Sequence, residues 1–100
     1  MIKHIVMWQI KDNTNFGSKE EVLNLAKEKI EGLRNKISEI VYLEVGINYN
    51  YENAYDLVLY SEFKKDEDLK AYAVHPEHLK VVDFMKEIVV SRASVDYEVK

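Results

Sequence analysis

The chain has 100 residues, 47% of them hydrophobic and 32% charged, with 14 basic against 18 acidic side chains and a formal charge of −4. That length and balance predict one soluble domain over residues 1–100, large enough to bury a core without staples, and weigh against a nucleic-acid phosphate backbone as partner. With no cysteine, disulfides and thiolate metal sites are excluded.

The longest apolar runs, Ile5–Trp8 and the segment around Ile88–Val90, fall far short of the roughly 20 residues a membrane helix needs. Met1-Ile2-Lys3-His4 does not open a signal peptide, so no membrane partner and a cytoplasmic location are expected.

Ile2–Ile10 reads as a strand, with Ile2, Val6, Trp8 and Ile10 on one side and Ile5 and Met7 on the other. Both faces are apolar, so both need cover. After the polar loop Lys11–Gly17, Ser18 with Glu21 three residues on is a capping box and starts a helix running to about Asn35. Its inward stripe is Val22, Ala26, Ile30, Leu33 and Ile37. Ile40–Ile47 alternates as a second strand, and Tyr55–Phe63 as a third; the short polar link Asn48–Ala54 predicts an antiparallel hairpin. Asp66 is expected to cap a short helix, Glu67–Val74. Pro76, at the favoured first position, opens another to about Val89, with Leu79, Val82, Met85 and Val89 inward. Arg92–Val99 closes the chain as a strand, its Ala93, Val95, Tyr97 and Val99 alternating with Arg92, Ser94, Asp96 and Glu98.

The order is β-α-β-β-α-β, which predicts an α+β ferredoxin-like sandwich: a four-stranded antiparallel sheet with its helices on one face. Ile5, Met7, Tyr97 and Val99 are then left on the other face. A second copy, packed sheet to sheet about a two-fold axis, is the expected cover, giving a homodimer and a closed or nearly closed barrel.

The chemistry-bearing residues are few. Two of the three histidines lie in His75-Pro76-Glu77-His78. Their i, i+3 spacing, even with His4 or a carboxylate added, suits a metal poorly, and no metal or other cofactor is expected. His78, in the first turn of a helix, sits where the dipole favours a neutral ring, which can serve as a base. Tyr72 lies just ahead on the short helix, and its hydroxyl matters only beside such a base. His4 shares the core side of the first strand with Val6, Trp8 and Ile10, where a histidine is more often structural than catalytic. Asp96, if its parity turns it toward the helices, can orient an imidazole. Arg92 and Ser94 share that parity, so if Asp96 faces the helices that part of the sheet is polar and suits a small polar or anionic ligand.

Lys3-His4, Leu43-Glu44-Val45-Gly46, Tyr55-Asp56-Leu57 with Ser61-Glu62-Phe63, Tyr72 with His75-Pro76-Glu77-His78, and Val95-Asp96-Tyr97 occur in one order and spacing over nearly the whole chain. Together they resemble the stress-responsive dimeric α/β-barrel family. The resemblance implies a ferredoxin-like monomer, a two-fold dimer and a cavity between helices and sheet. Most such proteins have no established molecular role, while a minority resemble polyketide cyclases that close a ring by aldol chemistry without a cofactor. On that analogy His78 is the general acid or base, Tyr72 polarises a carbonyl, His4 lines the pocket and Asp96 orients His78.

Three functions are therefore expected in competition: binding of a small metabolite, a cofactor-independent aldol-type lyase using Tyr72 and His78, and a structural or oligomeric stress protein. RNA recognition fits poorly, because Tyr55–Phe63 lacks the glycines and flanking basic residues such sheets use. A haem enzyme, with His75 or His78 as axial ligand, is a remote alternative.

Overall fold

The computed structural model describes Met1–Lys100. Its elements are β1 (Ile2–Ile10), α1 (Lys19–Glu31) continued by a 3₁₀ turn (Gly32–Asn35), β2 (Tyr42–Ile47), β3 (Leu57–Phe63), α2 (Asp66–Val74), α3 (Pro76–Ile88) and β4 (Val89–Glu98). All strand pairs are antiparallel and the sheet order is β2-β3-β1-β4, the ferredoxin-like arrangement. No helix is long and apolar enough to cross a membrane.

Local chemistry explains most boundaries. Ser18 caps α1 by accepting from Glu21 N, while the Glu21 carboxylate accepts from Ser18 N, so two otherwise orphaned amides are satisfied. β3 begins at Leu57 rather than Tyr55. Asp56 interrupts the ladder there: its amide bonds to Trp8 O and its carboxylate accepts from Ile10 N at 2.7 Å, where the pairing of β1 with β4 shifts register. Asp66 is the first residue of α2 rather than its cap; Lys65 holds the cap position without a side-chain bond, and Asp66, Glu67 and Asp68 instead complement the helix dipole. The third departure is at β4, which starts at Val89, three residues earlier than the pattern predicts. α3 runs straight into it because Val89 turns to extended backbone (φ −89°, ψ 134°) and pairs at once with Ile10.

The helices cover one face of the sheet. The predicted α1 stripe is wholly buried: Val22, Ala26, Ile30, Leu33 and Ile37 are at most 2% exposed. Val22, Ala26 and Ile30 pack with Val6, Trp8, Leu43, Val45, Leu57 and Leu59. On α3 the inward set is Val81, Phe84, Met85 and Ile88, whereas Leu79 stands in solvent. A second cluster joins Leu33, Ile37, Phe63, Leu69 and Tyr72 beneath α2.

Residues paired across an antiparallel ladder share a face, so the register sorts the sheet into rows. On the helix side they are Leu43–Ser61–His4–Asp96, Val45–Leu59–Val6–Ser94 and Ile47–Leu57–Trp8–Arg92. The β4 member of each of these three rows is polar, and β4 reaches the apolar core through Val89, which pairs with Ile10. On the opposite face the rows are Tyr42–Glu62–Lys3–Tyr97, Glu44–Tyr60–Ile5–Val95 and Gly46–Val58–Met7–Ala93. No element of the chain lies over them, and Tyr42, Val58, Val95 and Tyr97 are exposed.

Candidate functional site

Where the helix layer meets the polar column of β4 there is a cavity of about 460 Å³, between α2, α3 and the sheet. That volume lies within the range of about 300–1,000 Å³ typical of small-molecule sites. The apolar wall is supplied by Leu33, Leu59, Leu69, Val81, Val82 and Met85, with Trp8 at its base. His4, Tyr72, His78, Arg92 and Asp96 gather at one side. The lining is thus more apolar than the parity of Arg92 and Ser94 suggested, because the helices contribute hydrocarbon opposite a single polar strand edge.

The fold brings all four predicted site residues to this cavity. Tyr72 projects from α2 and is 2% exposed, wedged between rings: its centroid lies 5.1 Å from Phe63, 6.2 Å from His4 and 4.3 Å from His78. Burial pushes the phenol pKa up to about 12, opposed only by the Arg92 charge; no hydrogen bond enters. Its hydroxyl is therefore a protonated donor at neutral pH.

His78 follows Pro76 in the first turn of α3. The bend that places it beside Tyr72 is set by His75, extended as Pro76 requires, whose Nδ1 accepts from Glu77 N at 3.1 Å and so caps α3. His78 Nδ1 lies 3.0 Å from the carbonyl oxygen of Ala73. A carbonyl can only accept, so Nδ1 carries the proton and the neutral ring keeps a free lone pair on Nε2. Burial lowers the pKa of His78, with the Arg92 charge acting in the same direction and the bond to the Ala73 carbonyl opposing it.

Asp96 does not orient His78. Its Oδ1 lies 2.5 Å from Nδ1 of His4, its direct partner across the β1–β4 ladder, and the carboxylate holds that imidazole instead. The neighbouring rung is closed by Ser61, a fully buried hydroxyl that donates to His4 O at 2.9 Å. Lys86, which the periodicity leaves out of the inward stripe of α3, lies on the cavity wall, and Arg92 is read from the sequence only as wall polarity.

A family model for the stress-responsive A/B barrel domain matches residues 2–99. The chain belongs to that family. It is 26% identical over 107 residues to the stress-response A/B barrel domain-containing protein DABB1 of Arabidopsis thaliana, covering 97% of this chain but 46% of that protein. The chain thus spans less than half the length of this curated relative. Among solved structures, a dimeric ferredoxin-like protein of unknown function from Bacteroides fragilis superposes with a TM-score of 0.88 at 44% identity, over 98% of this chain and 95% of that one. Hydroxynitrile lyase from Passiflora edulis has the same fold, with a TM-score of 0.81 at 14% identity over 99% and 93% of the two chains. No molecular role is established for this A/B barrel domain by these relatives, which include both dimeric proteins of unknown function and an enzyme.

Proposed function

We propose that this domain binds a small molecule in the helix-side cavity, its apolar body among the α2 and α3 side chains and a carbonyl-type oxygen at the Tyr72 hydroxyl. The carrying observation is the Tyr72–His78 pair, centroids 4.3 Å apart, at the polar side of an otherwise apolar cavity. The chain's single tryptophan lines the same cavity. Adding a neutral ketone such as 2-octanone should change Trp8 fluorescence saturably in the wild type and leave it unchanged in Val82→Trp, corrected for the added indole, because that ring fills the cavity. No saturable change in the wild type contradicts the reading.

A second reading, cofactor-independent lyase or aldol chemistry, is favoured by the state of His78. Nε2 takes a proton from the carbon beside the carbonyl, the electron pair moves onto the carbonyl oxygen, and the Tyr72 hydroxyl donates to the oxyanion that forms. Such chemistry needs His78 neutral at neutral pH. NMR titration of the His78 ring is expected to give a midpoint below the ordinary 6.5, and Arg92→Gln is expected to raise it, since the Arg92 charge helps to lower it. The native state then binds fewer protons at His78 than the unfolded chain, so stability falls as pH drops through 6.5, an effect that His78→Asn removes. A midpoint at or above 6.5 rules out this use of the histidine. The hydroxynitrile lyase of Passiflora edulis supports the reading only in that this fold carries a lyase there.

The active form in this proposal is a homodimer, in line with the dimeric Bacteroides fragilis relative, and the open sheet face is the surface proposed to join it. Lack of cysteine fits a reducing compartment, and the proposed location is cytoplasmic.

A further inference from the structure

The outer wall of the cavity carries charge for which the protein supplies no partner. Arg92, paired with Trp8 across the β1–β4 ladder, and Lys86 on α3 both line the cavity, and both are exposed. Acidic side chains outnumber basic ones 18 to 14, yet neither cation takes part in any of the protein's ion pairs. Arg92 Nη1 donates only to the neutral hydroxyl of Ser94, at 3.3 Å. Asp96, the one carboxylate on the cavity wall, is engaged by His4. The Arg92 charge nevertheless reaches the polar side of the cavity, since it acts on both Tyr72 and His78.

A guanidinium with no internal partner, beside an apolar cavity, complements an anion with a hydrocarbon body, and its planar fork matches a carboxylate in two-point contact. The Asp96 charge in the same wall disfavours a dianion such as a phosphate monoester. We propose that the cavity takes amphiphilic monocarboxylates, the chain or ring inside among Leu33, Val81 and Met85, the carboxylate at the opening on Arg92 with Lys86 as the second cation. The assignment rests on the small-molecule reading above and narrows its ligand to one chemical class.

Trp8 fluorescence tests it with octanoate and its neutral counterpart 1-octanol. Octanoate is expected to bind the wild type about tenfold more tightly than 1-octanol, as a charge-assisted contact at a solvent-facing site implies. Arg92→Gln and high salt should each remove about that factor for octanoate while leaving 1-octanol unchanged, with a smaller loss for Lys86→Gln. Both substituted side chains are exposed, and unchanged circular dichroism confirms the fold of each variant. Equal affinities of the two probes for the wild type, or octanoate binding indifferent to Arg92→Gln, overturn the carboxylate assignment and leave the cavity reading standing. Failure of both probes to bind overturns the two together.

Discussion

Val95→Glu is expected to leave the chain folded and to abolish self-association at micromolar concentration. Val95 closes the central row of the open face, beside Ile5, and is 53% exposed in the single chain, so a glutamate there costs the monomer little. Once a second sheet packs on that face the carboxylate has neither water nor a partner. The several kcal/mol this costs correspond to at least about a hundredfold weaker dimerisation. Ser94→Glu is the control, one residue away on the same strand but pointing to the helix side. Sedimentation velocity should show dimers for the wild type and Ser94→Glu, and an 11.8 kDa particle for Val95→Glu. A wild type that sediments at 11.8 kDa contradicts the sheet-to-sheet dimer outright.

Phe63→Ala is expected to be the most damaging single truncation for fold and site together. The ring is fully buried, packs on Leu69 and Tyr72 in the cluster beneath α2, and lies 6.5 Å from His4. Loss of a buried phenylalanine costs about 3–5 kcal/mol, a large part of the 5–15 kcal/mol that stabilises a typical domain. Urea denaturation should register that loss. Because the ring at 5.1 Å is what holds Tyr72 against His78, ketone binding should weaken as well, even under conditions where the variant remains folded. A variant with wild-type stability would mean that this cluster contributes little.

The elements were legible because each is written twice, once in its periodicity and once in its punctuation. Ser18 and Glu21 announce α1, and Pro76 announces α3, whatever the rest of the chain does. The α3–β4 junction was not legible. Val89 and Val90 continue an apolar run that serves helix and strand equally, and no glycine or polar loop separates the two. Parity allowed Asp96 the helix side without fixing it, and it left the partner open: register places His4 directly across the ladder, and register depends on pairings remote in sequence. The same limit hid Lys86. On α3 the periodicity separates inside from outside, whereas a cavity edge falls between the two. Leu79 departs the other way: its spacing turned it inward, yet it is 47% exposed.

Binding of a small molecule on the helix side of the sheet, among Tyr72, His78 and the α3 wall, is tested most directly by a two-dimensional ¹H–¹⁵N NMR titration of the wild-type protein with 2-octanone. Saturable shifts are expected to cluster at Leu33, Tyr72, Ala73, Val81, Val82 and Arg92, with Met7, Val58 and Tyr97 on the opposite face unmoved. Shifts centred on that opposite face, or none at saturating ketone, would contradict it.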